Sequence, residues 1–144
     1  MIVSQILKSK TDVGVISVKP TGYVRDAIKL LSDKRIGSVV VSSDGETLDG
    51  ILSERDIVRE LGKRGTTCID DPVSSMMTVK LVTCSPSDSA LSVLEMMTNG
   101  RFRHLPVMQD GAMIGLISIG DVVKARLSEL SMEKDALEGM IMGH

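Results

Sequence analysis

Hydrophobic residues recur at helical spacing in two separate parts of the chain, and a continuous apolar run follows each part. The first set is Val24, Ala27, Ile28 and Leu31, and the second is Leu91, Leu94 and Met97. Residues three and four positions apart share one face of an α-helix, so each set predicts a helix that buries one face. The apolar runs at 39–41 and 105–108 are typical of buried strands.

The local pattern after each apolar run predicts a hairpin and then a second helix. Both hairpins have an Asp-Gly turn sequence, and a short strand is predicted ahead of each first helix. The predicted elements lie at 15–18, 24–31, 39–41, 48–52 and 54–62 in the first half, and at 81–84, 91–97, 105–108, 113–117 and from 119 onward in the second. Both halves therefore have the order strand, helix, strand, strand, helix.

The two halves are copies of one unit. Pro86 lies 66 positions after Pro20, and the same offset aligns the two Asp-Gly turns. After a one-residue deletion, the motif Gly-x-x-Ser-x-x-Asp occurs in both copies: Gly50, Ser53 and Asp56, then Gly115, Ser118 and Asp121. The boundaries that we expect are repeat 1 at 8–63, a linker at 64–75, repeat 2 at 76–127 and a helical tail at 128–144. A unit of about 55 residues cannot cover its own sheet, so we expect an α/β fold in which two β-α-β-β-α repeats pack about a pseudo-twofold axis.

Composition narrows the class of protein. The chain has 144 residues, 42% of them hydrophobic, which is enough for one shared core. With no tryptophan, one phenylalanine, one tyrosine and a net charge of −2, it lacks the aromatic platforms and the basic face of nucleic-acid binders. Cys68 and Cys84 fit neither a metal-ligand spacing nor a disulfide framework. No segment approaches the roughly 20 apolar residues of a membrane span, and no signal-peptide pattern is seen, so we expect a cytoplasmic protein with no membrane or nucleic-acid partner.

The Gly-x-x-Ser-x-x-Asp motif has two interpretations. Serine followed three residues later by an acid forms a capping box at a helix start, which needs no ligand. Alternatively, the glycine leaves room for a ligand at the strand end, and the helix N-terminus with its serine hydroxyl suits a phosphate. The carboxylates of Asp56 and Asp121 would then accept hydrogen bonds from ribose hydroxyls. The motif therefore indicates either two helix caps or two nucleotide sites.

The duplication, the order of elements, the two intact motifs and the segment Arg103-His104-Leu105-Pro106-Val107 together resemble a tandem pair of CBS (cystathionine-β-synthase) domains. The resemblance extends from about Ile6 to Ile141 and is especially close to stand-alone bacterial CBS-pair proteins. It implies two clefts that bind adenine nucleotides such as AMP, ADP or ATP, and in some members NAD or S-adenosylmethionine.

The resemblance also implies site residues. Asp56 and Asp121 are expected to hold the ribose, and Ser53 and Ser118 to face the ribose or the phosphate. The adenine is expected at Thr11, Ile16, Ile36 and Gly37 in one cleft, and at Thr78, Val82, Phe102 and Arg103 in the other. The other residues expected in the clefts are Ser38, Gly50, Arg55, His104, Pro106 and Gly115.

The two copies differ at the start of the second strand, so we expect unequal sites. Repeat 2 has three groups there that can neutralise phosphate: Arg101, Arg103 and His104. The corresponding residues of repeat 1 are Arg35, Gly37 and Ser38. Arg55 is either a compensating phosphate contact or a solvated arginine at a helix start.

The tail predicts an intermolecular contact. Its apolar residues recur at alternating spacings of four and three, interrupted by Lys134: Val123, Leu127, Leu130, Leu137 and Ile141. A helix continuing past repeat 2 would present this stripe to another subunit, and a homodimer is also what the resemblance implies.

These observations favour a regulatory module over an enzyme. His104 and the terminal His144 are the two histidines of the chain, so no catalytic residue and no metal ligand is assigned. The expected function is an energy or metabolite sensor that binds an adenine nucleotide as a regulatory ligand, has no catalytic cofactor and acts in trans on an unknown target protein. The alternative is a structural, protein-interaction module with vestigial clefts, and an enzyme that turns over a nucleotide ranks third.

Overall fold

A computed structural model describes residues 1–10 and 15–142 of the chain. These residues form two compact units, which we name after the repeat whose helices they contain. Unit N comprises residues 15–82 and 110–114, and unit C comprises residues 1–10, 83–109 and 115–142. The helices are α1 Val3–Ser9, α2 Val24–Lys34, α3 Glu54–Arg64, α4 Ala90–Gly100 and α5 Ile119–Ile141. The strands are β1 Ser17–Val18, β2 Ser38–Val41, β3 Gly50–Ser53, β4 His104–Gln109 and β5 Ala112–Ser118.

Unit N contains a three-stranded sheet in the order β1-β2-β3. β1 runs parallel to β2, and β2 runs antiparallel to β3 with Ser38 opposite Ser53. Side chains alternate between the two faces of a strand, so Val39 and Val41 share one face while Ser38 lies on the other. Val39 and Val41 join Leu52 and the buried residues of α2 and α3 in one hydrophobic core. The two helices therefore cover one face of the sheet, and Ser38 and Ser53 lie on the opposite face.

Helix α2 buries Val24, Ala27 and Leu31, as the helical spacing predicts. It ends at Arg35, which adopts the left-handed conformation with φ 54° and donates its N–H to the Leu31 carbonyl. The second copy repeats this ending at Arg101, with φ 58°. Left-handed backbone is the usual place for glycine at a helix end, because other L-residues are strained there.

Unit C contains β4, residues 115–118 of its antiparallel partner β5, and helices α1, α4 and α5. Asp110 and Gly111 connect the strands with φ values of 52° and 80°, as a tight hairpin of the Asp-Gly type requires. The core combines residues of all three helices with both strands, among them Val3, Val93, Leu105, Ile117 and Val122. The predicted mixed α/β fold with a C-terminal helix is confirmed.

The predicted first strands are much shorter than expected. The strand at 15–18 is reduced to Ser17–Val18, and the strand at 81–84 is reduced to one parallel bridge between Cys84 and Val107. The expected linker contains two 3₁₀ helices, Thr66–Asp70 and Val73–Ser75. Their buried Cys68 and Val73 belong to the core of unit N, because this segment supplies apolar surface that the small sheet needs.

The segment that leads into each repeat lies in the unit of the other repeat. Helix α1, at the start of the chain, buries Val3 and Ile6 in the core of unit C. Residues 73–82, the end of the expected linker and the start of the expected repeat 2, lie in unit N, where Thr78 pairs with Ile51 of β3. The hydrophobic periodicity did not indicate this exchange, because it reports which face of an element is buried and not which sheet buries it.

Candidate functional site

Both Gly-x-x-Ser-x-x-Asp motifs form capping boxes at a strand-to-helix junction. The Asp56 N–H donates to Ser53 Oγ at 3.1 Å, and the Ser53 N–H donates to Asp56 Oδ2 at 3.0 Å. The same pair of bonds joins Ser118 and Asp121 at 3.1 and 2.9 Å. The capping boxes that the motif predicts are therefore present, and such caps contribute about 0.5–2 kcal/mol each. A cap does not prevent a carboxylate from accepting further hydrogen bonds, since each carboxylate has about four acceptor positions.

Asp56 is buried and surrounded by donors. Its side chain is 7% exposed, and its Oδ1 lies 2.8 Å from Nη2 of Arg59, one turn further along α3. Thr78 Oγ1 lies 3.3 Å from Oδ1 and 3.4 Å from Oδ2. We expected Thr78 in one cleft with Phe102 and Arg103, and the structure places it beside Asp56 in unit N instead. The physical reason is the backbone pairing between Thr78 and Ile51, which holds the segment against the outer edge of β3 in unit N.

Asp121 is more accessible and has a different cation. Its side chain is 24% exposed, and Lys10 Nζ lies 2.9 Å from Oδ2 while also donating to the Leu116 carbonyl at 3.0 Å. Burial raises the pKa of Asp121, but the Ser118 N–H and the Lys10 ammonium outweigh it, so the pKa lies below the ordinary value of 3.8. A carboxylate held in its charged form is suited to accept hydrogen bonds from a diol.

The glycines of the two motifs do not leave space for a ligand. A Cβ on Gly50 would lie 2.9 Å from both Met77 Sδ and the Thr78 carbonyl oxygen, and a Cβ on Gly115 would lie 2.9 Å from Leu7 Cδ2. The expectation that the missing Cβ lets a ligand approach is therefore wrong. Both glycines are required because the lead-in segment packs directly against the strand.

The two strand-to-helix junctions, Ser53–Asp56 in unit N and Ser118–Asp121 in unit C, are equivalent in backbone geometry but differ in the side chains around them. The Glu54 N–H donates to the Gly37 carbonyl at 2.9 Å, and the Ile119 N–H donates to the Arg103 carbonyl at 2.8 Å. These bonds place the start of the second strand beside the start of the following helix in each unit. In unit N they bring together four of the predicted site residues: Gly37, Ser38, Ser53 and Asp56.

Ser38 is the unusual member of the unit N junction. It is 4% exposed, and its Oγ has no hydrogen-bond partner among the described residues. Glu54 and Gly37 form a hydrogen-bonded pair, so Ser38 and Ser53 form the adjacent non-hydrogen-bonded pair, in which side chains approach closely on one face. A buried hydroxyl left without a partner costs about 1–3 kcal/mol, so this atom calls for an explanation.

A cavity of about 390 Å³ lies on the helical side of unit N. Its lining includes Ile28, Leu31, Ile57 and Val58 from α2 and α3, together with Ile36 and Gly37 from the predicted site. Asp56 does not line it. The lining also includes the polar residues Ser32, Arg35 and Glu54, and Gly37 lies both at this cavity and at the junction.

The remaining predicted residues lie in both units. Ile16 and Val82 are in unit N, and Arg55 is exposed on α3 beside Asp56. In unit C, Arg103 is exposed and His104 is half-buried at the start of β4, while Pro106 is buried within it. The other two predicted residues are Phe102, which packs against the core of unit C, and Thr11, which lies outside the described residues.

Sequence reasoning missed Lys10 and Arg59, the two cations bound to the motif carboxylates. Arg59 is three residues after Asp56, a spacing at which helical side chains meet, so it was open to prediction. Lys10 is separated from Asp121 by more than a hundred residues, and no local pattern connects them.

Within residues 1–10 and 15–142, no group of three or more His, Cys, Asp or Glu side chains is arranged to hold a metal ion. No helix in the described part of the chain is both long and apolar enough for a bilayer crossing.

Comparison with known proteins identifies the family. The CBS domain model matches residues 3–63 and 73–128. The chain is 36% identical to the CBS domain-containing protein CBSX3, mitochondrial, of Arabidopsis thaliana, over 98% of this chain and 72% of that protein.

Solved structures agree with this match. The CBS-domain containing protein ATU1752 from Agrobacterium tumefaciens superposes with a TM-score of 0.82 and 38% identity, covering 88% of this chain and 99% of that one. CBSX2, solved in complex with AMP, superposes with a TM-score of 0.72 and 29% identity, covering 88% of this chain and 96% of that one. With two consecutive matches that together span most of its length, the chain belongs to the CBS-domain family.

Proposed function

We propose that this chain is a regulatory module that binds adenosyl ligands at its two Ser–Asp junctions. The observation that carries the proposal is the repeated geometry of Asp56 and Asp121, each fixed by a capping box beside the start of a neighbouring strand. With about four acceptor positions per carboxylate, Asp121 keeps positions for two ribose hydroxyls and Asp56, which already accepts from three donors, keeps a position for one. The AMP complex of CBSX2 supports this chemistry, because that protein shares the fold and 29% of the aligned residues.

The unit C junction is the stronger candidate for a nucleotide with phosphates. Asp121 is the more exposed of the two carboxylates, and Arg101 and Arg103 are exposed nearby in sequence. The helix N-terminus at Ile119 adds the positive end of the helix dipole. AMP, ADP, ATP and NAD all present a ribose and at least one phosphate, so they are the ligands to test first.

The module acts by binding and not by catalysis. The support for this is the site chemistry, which consists of hydrogen-bond acceptors and cations and to which we assign no nucleophile or general base. A nucleotide that binds one conformation of the chain more tightly increases the population of that conformation. A separate target protein then responds to the change. S-adenosylmethionine would act in the same way through its ribose.

We also propose that the chain forms a homodimer through α5. The apolar residues of its stripe are exposed, with Leu127 at 64% and Ile141 at 84%. Their spacing of four and three places them along one side of the helix, as in a two-stranded coiled coil. A second copy of the same helix offers a matching surface.

Isothermal titration of the full chain, freed of copurified nucleotide, tests the ligand proposal. AMP, ADP, ATP, NAD and S-adenosylmethionine are titrated into the parent chain and into Asp56→Ala and Asp121→Ala. We expect saturable binding that the Asp121→Ala variant loses for phosphorylated ligands.

Asp88→Ala is the matched control. Asp88 accepts the Ser85 N–H at 2.8 Å in the same serine–acid spacing, but it does not lie at a strand-to-helix junction with a motif glycine. This variant is expected to melt earlier and to keep its ligand. If no ligand binds the parent and all three variants only lose stability, the motifs are helix caps and the chain is a structural interaction module.

A further inference from the structure

We propose that the two α5 helices of the homodimer run antiparallel, with Lys124 of each copy beside the partner's Glu138. The inference rests on the proposed homodimer and adds the orientation of its two helices. A parallel pair and an antiparallel pair bury the same apolar stripe, so the charges on and beside the stripe decide between them.

The second half of α5 is exposed to solvent. Val122 and Ala125 are the buried residues of this helix, and every residue from 130 to 138 is exposed. Isolated helices shorter than about 12–15 residues are marginal in water, because packing of an apolar face supplies most helical stability in proteins. We therefore expect this part of α5 to pack against a partner, and a second copy offers a stripe of the same spacing.

The stripe has the spacing of the core positions a and d of a coiled coil. Position a is occupied by Leu127, Lys134 and Ile141, and position d by Val123, Leu130 and Leu137. In an antiparallel pair centred on residue 132, each of these six residues faces a stripe residue of the partner. The layers are Val123 with the partner's Ile141, Leu127 with the partner's Leu137, and Leu130 with the partner's Lys134. A shift by one heptad leaves two of the six without a counterpart, so this register buries the most apolar surface.

A parallel pair brings like charges together. Each core residue then faces its own copy, so Lys134 lies opposite the partner's Lys134 inside the interface. Positions g and e meet along both edges of a parallel pair, which places Glu133 beside the partner's Glu138 twice. One pair of lysines in the core and two pairs of glutamates at the edges therefore oppose this orientation.

An antiparallel pair brings opposite charges together. Reversing one helix exchanges its edges, so positions e meet along one edge and positions g along the other. Lys124 and Glu138 are exposed and both occupy position e, so each lies beside its opposite charge on the partner. The one pair of like charges is Glu133 with the partner's Glu133, against two pairs of opposite charge. Charge complementarity thus favours the antiparallel orientation.

The other cations near the stripe are compatible with an antiparallel pair. Lys134 Nζ lies 3.8 Å from Oε1 of Glu138 on the same helix, and its side chain is 75% exposed. A lysine can cover apolar surface with its stem, here the partner's Leu130, and keep its ammonium group in water. Arg126 is bound to Glu129 of its own helix at 3.1 Å and meets an uncharged residue in either orientation.

Charge reversal in the full chain tests the orientation, with the dimer Kd measured by sedimentation equilibrium. Glu138→Lys turns two attractive pairs into repulsive ones, and we expect the Kd to rise about tenfold. Lys124→Glu should have the same effect, and the two changes together should restore the Kd to within about threefold of the parent. In a parallel pair, Glu138→Lys would tighten the dimer, because the new lysine would lie beside the partner's Glu133.

Glu133→Lys is the matched control. It replaces one like-charged pair by another in the antiparallel pair, so the Kd should stay within about twofold of the parent. In a parallel pair it would create two attractive contacts with the partner's Glu138 and tighten the dimer.

Cross-linking measures the orientation directly. Val123→Cys and an affinity-tagged Ile141→Cys chain are mixed and treated with a short bismaleimide. In the antiparallel pair these two positions share a layer, whereas like positions are about 27 Å apart along the axis at 1.5 Å per residue. We expect cross-links between tagged and untagged chains only. The native Cys68 and Cys84 are buried, and the parent chain, which should not cross-link, is the control.

Two results overturn the antiparallel orientation and leave the homodimer in place. One is cross-linking between like positions, and the other is a tighter dimer of Glu138→Lys or Glu133→Lys. A parent chain that is monomeric, or a dimer whose Kd is unchanged by Leu127→Glu with Leu137→Glu, overturns the α5 homodimer together with the inference. The ligand sites are tested separately by calorimetry.

Discussion

Lys10 and Asp121 form an ion pair that joins the start of the chain to the first turn of its last helix. Lys10 Nζ lies 2.9 Å from Asp121 Oδ2 and 3.0 Å from the Leu116 carbonyl oxygen. The same carboxylate caps α5 through the Ser118 N–H. One side chain thus combines a structural role in unit C with the position at which a ribose is expected.

This ion pair predicts a pH-dependent contribution to stability. The folded-state pKa of Asp121 lies below 3.8, so the unfolded chain takes up the proton more readily than the native one. The stabilisation is complete above pH 3.8 and is lost as the pH falls through the lower, folded-state pKa. Melting temperatures of the parent and of Asp121→Asn should therefore differ most near neutral pH and converge in acid. Lys10→Met is the companion variant, whose stability should fall less than that of the parent between pH 7 and pH 2, because without the ammonium group the folded-state pKa of Asp121 is no longer held as low. A difference between parent and Asp121→Asn that is constant from pH 7 to pH 2 would contradict the assignment.

The two motif glycines should tolerate alanine unequally. In Gly50→Ala the new Cβ meets the Thr78 carbonyl oxygen, a backbone atom that cannot move without breaking its pairing with β3, and we expect a loss of about 1–3 kcal/mol. In Gly115→Ala it meets the end of the Leu7 side chain, which can rotate, so the loss should be smaller. Gly62→Ala is the control, because nothing lies within 4 Å of its Cβ and alanine favours the helix by about 0.8–1 kcal/mol. Urea unfolding of the three variants measures the change in the free energy of unfolding for each. Equal losses of this free energy at Gly50 and Gly115 would show that the contact with the Thr78 backbone is unimportant.

The left-handed arginines that end α2 and α4 store strain in both repeats. Arg35→Gly and Arg101→Gly should each raise the free energy of unfolding by up to about 1 kcal/mol, since relief of the left-handed conformation exceeds the added entropy of glycine in the unfolded chain. Lys29→Gly, at an exposed position inside α2, should instead lower it by about 1 kcal/mol. Thermal unfolding followed by circular dichroism compares the three. A destabilised Arg101→Gly would mean that its side chain makes a contact worth more than the strain.

The exposed stripe of α5 predicts a dimer that charge can disrupt. Leu127→Glu with Leu137→Glu places two carboxylates on the stripe, and sedimentation equilibrium should then give the monomer mass of 15.5 kDa. Ala136→Glu adds one carboxylate at the position next to Leu137, which is rotated by about 100° around the helix, so it should leave the dimer intact, whereas Leu137→Glu alone should already weaken it. A parent chain that sediments as a monomer at micromolar concentration would refute the homodimer.

Much of the local structure could be predicted from the sequence. The helical spacing of Val24, Ala27 and Leu31 corresponds to a helix that buries these residues, and the Asp-Gly pair at 110–111 forms the expected turn. The capping boxes were predicted for the same reason, because the serine and the aspartate are three residues apart and meet within a single helical turn. Such features arise from contacts between residues that are close in the sequence, so they can be predicted from the local pattern of residues.

Contacts between residues that are far apart in the sequence could not be predicted in this way. Thr78 lies beside Asp56 and not in the cleft expected for it, and Lys10 lies on Asp121, because each lead-in segment packs against the strands of the other repeat. The need for glycine at position 50 has the same origin, a contact with residues 77 and 78 that no spacing reveals.

The sequence by itself determined the duplication, the elements of each copy, the helix caps and the family, since all of these are encoded in periodicity and short motifs. Only the tertiary structure decided which cation neutralises each carboxylate and that the Ser38 hydroxyl is buried with no hydrogen-bond partner in residues 1–10 and 15–142. The reason is that burial and ion pairing depend on which segments the fold brings together, and a repeated sequence is compatible with more than one way of pairing its segments.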